Sequence, residues 1–250
     1  MSIDAPGTPP LVLDMGTGLR YFGLDWPKDA PFHGACLLSH LHWDHVQGLP
    51  FFPPLLRHDS HLDIYAPAPE DGSSLDDVMW RTINPPLFPV GLDAFPGQVT
   101  FHPVTDHQFS IGEVQVTSRL IPHVGRTCGY RLEHGGASVA YLSDHQQTGV
   151  RTFEASAGAR ELCDGVDVMI HDAQYTRAEF ARKSTWGHCT VEYAVWLAIE
   201  CRAKTLVLFH HDPTHDDDQI DRIVASANRV ACNGLEVVAA REGLTLSVGE

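Results

Sequence analysis

The chain has 250 residues, of which 43% are hydrophobic and 20% charged, and its formal net charge is −15. This length suits one large domain, and no repeat or break in composition divides it, so we predict a single domain over residues 1–250 with a flexible segment 1–10. The negative charge disfavours stable binding to nucleic acid or to an anionic membrane, and no apolar run is long enough to cross a bilayer.

Cysteine use and the first ten residues bear on the cellular compartment. The six cysteines form no C-x-x-C pair, which favours reduced thiols over disulfides. Residues 1–10 lack the basic and apolar segments of a secretory signal. Together these features predict a cytoplasmic protein.

Apolar runs and their periodicity predict the following elements in chain order. Strands are expected at 11–13, 35–39, 61–65, 99–101, 114–120, 128–133, 139–142, 168–170, 206–209, 235–239 and 244–248. Helices are expected at 46–50, 73–83, 191–199 and 216–227, a glycine-rich turn at 14–18, and an irregular segment at 85–96, which contains four prolines. Strands come first in both halves and later alternate with helices, which suits two packed sheets with helices outside.

The segment His40-Leu41-His42-Trp43-Asp44-His45 places three histidines and one aspartate within six residues. His40 and His42 are two residues apart, so their side chains can point to the same side and face one metal ion. Asp44 and His45 fall on the following turn and can face a second ion. Imidazole and carboxylate suit zinc, manganese or iron, and two metals about 3.5–4 Å apart can hydrolyse a phosphodiester. A histidine-rich surface loop is the alternative, but the predicted strand before the motif and the short helix after it favour a metal site.

Further candidate residues stand where later strands end. They are His123, Asp144, His171, Asp172 and His210, and His188 lies just before a helix. This order of motifs resembles the metallo-β-lactamase fold superfamily, and more narrowly its ribonuclease Z and cyclic phosphodiesterase branch, from about residue 11 to 215. The resemblance implies an α/β fold of the αββα sandwich type, with two packed mixed sheets and helices on their outer faces.

The resemblance also implies two divalent metal ions, with zinc expected first and manganese or iron as alternatives. One ion would be held by His40, His42 and His123, the other by Asp44, His45 and His210, and Asp144 would bridge both. Two adjacent histidines end the strand at 206–209, so His211 is the alternative to His210.

A separate pair of residues is implied to transfer a proton. Residues 170–173 resemble the His-Glu-Ala-Thr motif of ribonuclease Z, with Asp172 in place of the glutamate, and residues 186–190 resemble that family's next histidine. By resemblance, His188 would protonate the leaving alkoxide and Asp172 would orient it. The alternative for both residues is a role at a helix cap.

The resemblance and the motifs together predict a dimetal phosphodiesterase that acts on a small phosphodiester, such as a cyclic nucleotide or a cyclic ribose phosphate. Ribonuclease Z carries a tRNA-binding arm between the motifs matched by His123 and Asp144, but here only 20 residues lie between them, and two strands and a turn use them up. The metal ions would reverse the negative charge locally, which is compatible with a small anionic substrate. The alternatives are a ribonuclease Z-like endonuclease, a lactonase or thioesterase-type hydrolase, and a non-catalytic metal-binding protein.

Three further expectations concern the edges of the protein. Relatives usually carry a strand and a Gly/Ser turn before the equivalent of Leu11, and their absence here leaves the first sheet edge and the completeness of the N-terminus open. His145 would either support the site or touch substrate, and His215 would either belong to a capped helix start or line the rim. A homodimer is compatible with the resemblance, although no residue points to one.

Overall fold

The computed structural model describes residues 1–149 and 153–249. The chain forms two compact units, residues 1–105 with 110–114 and residues 106–109 with 115 onward. The single domain expected over residues 1–250 stays a prediction, and residues 150–152 and 250 within it lie outside the described residues. Among the helices of the described part, none is both long and apolar enough to span a membrane.

The first unit contains a five-stranded sheet with the order β1-β2-β3-β4-β5. Its strands are β1 (Ser2–Ile3), β2 (Leu11–Leu13), β3 (His33–Leu37), β4 (His61–Pro67) and β5 (Gln98–Val104). Strands β2 to β5 run parallel, and β1 is antiparallel to β2. The sheet edge that the sequence left open is therefore taken by residues near the start of this chain.

Helices and one face of this sheet form the core of the first unit. The helices are α1 (Gly18–Asp25), α2 (Trp43–Val46) and α3 (Leu75–Thr82), with short 3-10 segments at Leu49–Phe51, Pro53–Leu56 and Leu92–Ala94. The core includes the buried side chains of Phe32, Leu62 and Met79. Helix α3 begins as predicted, because the side chain of Ser74 accepts the backbone N–H of Asp77.

The second unit contains most of a seven-stranded sheet with the order β12-β11-β10-β9-β8-β7-β6. Its strands are β6 (His107–Ile111), β7 (Val114–Ile121), β8 (Thr127–His134), β9 (Ala137–Leu142), β10 (Val168–Asp172), β11 (Thr205–Phe209) and β12 (Glu236–Ala239). Strands β9 to β12 run parallel, and β8 is antiparallel to β7 and β9. The carboxyl ends of β9, β10 and β11 meet at one sheet edge, where ligand sites of α/β proteins form.

Four helices are described in the second unit. They are α4 (Ala157–Cys163), α5 (Arg177–Lys183), α6 (Val191–Glu200) and α7 (Asp217–Val230). Thr190 caps α6 and Asp216 caps α7, as the sequence predicts. The buried core of this unit includes Leu142, Leu197 and Leu206.

The structure corrects several predicted elements. Residues 244–248 do not form a strand, although apolar and polar residues alternate there. Leu246 is 39% exposed, and an alternating pattern yields a strand only where a neighbouring strand and a buried face are available. Helix α2 begins within the histidine motif rather than after it, and α1, α4, α5 and β6 were not predicted because such short segments carry little periodicity.

The predicted fold class is confirmed in its main features. Both sheets are mixed, since each combines parallel and antiparallel strands, and both occur with helices in a mixed α/β chain. The parallel strands β9 to β11 are largely buried and apolar, as expected for parallel strands covered on both faces.

Candidate metal centre

The histidine motif of the first unit follows strand β3 and includes the start of helix α2. The ring centroids of His40 and His42 lie 4.3 Å apart, and those of His40 and His45 lie 4.2 Å apart. The Nε2 atom of His45 lies 3.2 Å from Oδ2 of Asp44. One short turn thus gathers all four predicted ligands of this unit, with His40 and His45 buried and the other two exposed.

Asp14, which directly follows strand β2, is a supporting residue that the sequence analysis missed. Its Oδ2 accepts hydrogen bonds from His45 Nδ1 (2.7 Å) and from the hydroxyl of Ser39 (2.9 Å), and its Oδ1 accepts the backbone N–H of Ser39 (2.6 Å). A carboxylate on Nδ1 directs the Nε2 lone pair of His45 to a metal and makes the imidazole a stronger ligand. The signal that could have found Asp14 is its place at the end of a buried strand, before a glycine-rich turn.

Two glycines allow the turn after Asp14 to lie against helix α2. A Cβ atom on Gly48 would clash with the carbonyl oxygen of Gly16, and one on Gly16 would lie 2.7 Å from the carbonyl oxygen of Asp44. The backbone N–H of Met15 donates to His45 O, and that of Gly48 donates to Met15 O, each over 2.8 Å. This close packing holds Asp14 and the histidine motif together.

Replacing Asp14 by asparagine is expected to weaken zinc binding about 10–100-fold, the usual effect of losing an outer hydrogen-bond partner of a metal ligand. Asparagine keeps the size of the side chain and tolerates the left-handed backbone of this residue, whose φ is 58°. Because both oxygens of Asp14 accept hydrogen bonds, the variant removes the charge and one acceptor, and it therefore tests the carboxylate as the partner of His45 Nδ1. Competition with a chromophoric chelator measures the affinity, with Asp25→Asn at an exposed position as the matched control. Equal affinities in the two variants would contradict the supporting role of Asp14.

Asp144, which follows strand β9, is the point on which three histidines of the second unit converge. Its Oδ2 lies 3.3 Å from His210 Nε2, 3.8 Å from His123 Nε2 and 3.9 Å from His188 Nδ1. The carboxyl group is only 2% exposed. A buried carboxylate and imidazoles thus meet at the carboxyl edge of the sheet.

These separations fit shared ligation of a metal ion. Two ligand atoms that each lie about 2.0–2.2 Å from one tetrahedral ion are about 3.3–3.6 Å apart, which is longer than an ordinary hydrogen bond. The distances from Asp144 to His210 and His123 lie close to this range. His123 Nδ1 donates to the carbonyl oxygen of Gly187 over 2.6 Å, which sets the tautomer whose Nε2 atom, on the side of Asp144, can serve as the ligand atom. The donor set therefore fits the divalent metal that the sequence predicts.

His188 and Asp172 form a close pair beside Asp144. Nδ1 of His188 donates to Oδ2 of Asp172 over 2.7 Å, and Asp172 is fully buried. The same carboxylate accepts the backbone N–H groups of His145 (3.1 Å) and Gln174 (3.0 Å). These backbone donors hold the carboxylate in place, so Asp172 can orient the imidazole of His188.

The cap alternative for these two residues is not what the structure shows. Thr176 caps helix α5 and Thr190 caps helix α6, each through its side-chain oxygen. Neither Asp172 nor His188 therefore serves as a helix N-cap.

His145 and His171 form a second, fully buried pair behind Asp172. His171 Nδ1 donates to the carbonyl oxygen of Asp172 (2.6 Å), and His145 Nδ1 donates to His171 Nε2 (2.8 Å). Burial lowers the pKa of His171, and burial together with His171 and His123 lowers the pKa of His145 well below its usual range. Both imidazoles are therefore neutral near pH 7, and His145 supports the site from behind rather than facing solvent.

The two adjacent histidines after strand β11, His210 and His211, have side chains in different environments. His210 has a left-handed φ of 55° and approaches Asp144, as described above. His211 hydrogen-bonds to the backbone of Ala240, and burial lowers its pKa. The structure therefore places His210, not His211, beside the other candidate ligands.

The loop after His210 is tied to helix α5 by an ion pair and by a hydrogen bond. Lys183 pairs with Asp212, and His215 Nε2 lies 2.8 Å from Oε1 of Glu179. Burial alone would raise the pKa of Asp212, but hydrogen bonds from Lys183 and Thr214 bring it down to about 2. The side chain of His215 is only 1% exposed, so it is buried against α5 and does not line a rim.

A mixed α/β fold in which imidazoles and carboxylates gather at strand ends defines a metal-dependent hydrolase of the metallo-β-lactamase type. The chain belongs to the beta-lactamase superfamily, whose domain matches residues 22–211. An uncharacterized protein of Mycobacterium tuberculosis is 29% identical over 229 residues, which cover 88% of this chain and 77% of that protein.

Two solved structures share the fold at low sequence identity. Human tRNase Z, short form, superposes with a TM-score of 0.70 and 20% identity, covering 100% of this chain and 92% of its own. A diphosphatase of the PhnP family superposes with a TM-score of 0.68 and 20% identity, covering 98% of this chain and 82% of its own. These likenesses confirm the metallo-β-lactamase fold that the sequence motifs predict, and this fold implies binding of divalent metal.

Proposed function

We propose that this protein is a dinuclear metal-dependent phosphodiesterase that hydrolyses a small phosphodiester, with a cyclic nucleotide as the expected substrate class. The observation that carries the proposal is the His188–Asp172 pair, 2.7 Å apart, beside the carboxylate of Asp144. A lactone or thioester hydrolase has no need of a strong acid at this place. A phosphodiester with an alkoxide leaving group does need one, because an alkoxide leaves poorly unless it is protonated.

The seven predicted ligands are proposed to hold two ions, with zinc expected first because imidazole and carboxylate are its usual ligands. When bound, the ions would supply Lewis-acid stabilisation of the phosphoryl oxygens and activation of water. The part of the chemistry that the chain itself performs is proton transfer. Because His188 Nδ1 donates to Asp172, the proton that reaches the leaving oxygen is the one on Nε2.

The local structure after His123 supports a small substrate rather than tRNA. Strands β8 and β9 and the tight turn at Gly135-Gly136 occupy most of the segment between His123 and Asp144, which leaves no inserted arm there. The net charge of −15 also disfavours a long polyanion. We therefore place a ribonuclease Z-like activity second.

We also propose a cytoplasmic location, because all six cysteines are free thiols.

The direct test is product formation from 3′,5′-cyclic AMP by protein loaded with Zn²⁺ or Mn²⁺, with metal-stripped protein as the control. We expect hydrolysis to one nucleoside monophosphate that depends on added metal. Parallel reactions with a precursor tRNA, a lactone and a thioester separate the competing activities. Hydrolysis of a lactone or thioester without hydrolysis of any phosphodiester would overturn the proposal.

A further inference from the structure

Gln146 lies two residues beyond Asp144, in the loop that follows strand β9, and its side chain binds the segment that carries His188. Its Nε2 donates to the carbonyl oxygens of Ser184 (3.0 Å) and His188 (3.2 Å), and also to that of Gln147 (3.0 Å). Its Oε1 accepts the backbone N–H of Gly187 over 2.8 Å. One side-chain amide thus makes four hydrogen bonds, three of them to residues 184–188.

The backbone of Gln146 reaches a third segment. Its N–H donates to the carbonyl oxygen of Pro122 over 2.7 Å, directly before the candidate ligand His123. Residue 146 therefore connects the segments that bear His123, Asp144 and His188.

The peptide of Gly187 completes a closed ring of hydrogen bonds. Its N–H donates to the side chain of Gln146, and its carbonyl oxygen accepts Nδ1 of His123 over 2.6 Å. Gly187 has a left-handed φ of 95°, and a Cβ atom there would lie 2.5 Å from the His123 ring. The ring runs from Pro122 to Gln146, from Gln146 to Gly187, and from Gly187 back to His123.

This ring has a chemical consequence for His123. A hydrogen bond from Nδ1 to a carbonyl sets the tautomer that leaves Nε2 as the metal ligand, and such outer partners orient the ring. Gln146 binds the peptide units on both sides of the Gly187 carbonyl, since its Oε1 accepts the N–H of Gly187 and its Nε2 donates to the carbonyl oxygen of His188. These two hydrogen bonds together fix the direction of the Gly187 carbonyl. The amide oxygen thus helps to orient His123 by way of Gly187, while the amide nitrogen holds the carbonyl of His188 directly.

We propose that Gln146 is a positioning residue. Through opposite ends of its amide, it sets the orientation of both the metal ligand His123 and the acid His188. This inference rests on the proposed function for the role of His188 alone. The inferred role of Gln146 toward His123 requires only that the site binds metal.

The fold around residue 146 retains other support when the amide is changed. Gln147 Oε1 accepts the backbone N–H and the hydroxyl of Thr190, the residue that caps helix α6. Helix α6 and its start therefore keep their own anchor in Gln146 variants.

Two substitutions separate the two ends of the amide. Gln146→Glu keeps an oxygen for the N–H of Gly187 but loses the donor and places negative charge against the carbonyls of Ser184 and His188. Gln146→Met removes both functions at similar length. Gln108→Met, at an exposed position of strand β6, is the matched control.

Three measurements report on these variants: zinc affinity by chelator competition, thermal stability, and the ratio of kcat values for cyclic AMP and bis(p-nitrophenyl) phosphate. The second substrate has a good leaving group and needs little help from an acid. Gln146→Met should lower zinc affinity about 10–100-fold and lower the kcat ratio. Gln146→Glu should keep zinc affinity at or above the wild-type value and lower the kcat ratio alone.

The inference is overturned if Gln146→Met keeps both the zinc affinity and the kcat ratio of the wild type. It is also overturned if all three quantities fall together in both variants, because that result indicates a general loss of structure. If the wild-type protein hydrolyses neither phosphodiester, the proposed function fails, but the zinc affinity of Gln146→Met still decides the role toward His123.

Discussion

Replacing His188 by alanine is expected to lower kcat for 3′,5′-cyclic AMP by about 10²–10⁴-fold, the usual contribution of a positioned general acid, while metal content stays unchanged. Nδ1 of His188 donates a hydrogen bond to Asp172 over 2.7 Å. The proton on its Nε2 is the one that we assign to the leaving oxygen. Without it, the alkoxide would have to depart unprotonated.

The leaving group provides the sharpest readout for this prediction. p-Nitrophenolate is a stable anion, so hydrolysis of bis(p-nitrophenyl) phosphate should fall far less in His188→Ala than hydrolysis of cyclic AMP. The fold should persist, since the carboxylate of Asp172 still accepts the backbone N–H groups of His145 and Gln174.

The matched control for this variant is His58→Ala, at an exposed position of the first unit. Equal losses on both substrates in His188→Ala would argue against an acid role and for a role in binding or structure. A loss of bound metal would instead make His188 a ligand.

Replacing Asp144 by asparagine is expected to cause the largest loss of metal. The content should fall from about two ions per chain to one or none, and kcat should fall by more than the roughly 10–100-fold that follows loss of an outer partner. His210 and His123 both approach Oδ2 of this carboxyl. Asparagine keeps the shape but removes the negative charge and one of the two ligand oxygens, so it cannot serve two cations.

Metal content by elemental analysis after gel filtration measures this effect. Asp221→Asn, at an exposed position of helix α7, makes the same change of charge away from the site and should retain its metal. Retention of two ions in Asp144→Asn would remove Asp144 from the ligand set.

Much of the site could be predicted because its residues lie in short, local patterns. The histidine motif occupies six consecutive residues, so its four candidate ligands need only one turn to come together. Helices α3, α6 and α7 were predicted for a related reason, since their caps and apolar periodicity are local features.

Other features were missed because they depend on contacts between distant residues. Asp14 and His45 are 31 positions apart, and nothing local to either residue indicates their hydrogen bond. Segment 244–248 shows the opposite error, because its alternating pattern has no buried face on which to act.

The sequence by itself determined the family, the chemical types of the candidate ligands and the order of the strand ends that carry them, because these are properties of short motifs. Tertiary structure alone decided that His210 rather than His211 approaches Asp144, that His145 is buried behind Asp172, and that Gln146 joins three segments. The physical reason is that strand register and side-chain burial set these contacts. Both depend on the packing of residues far apart in the chain rather than on local periodicity.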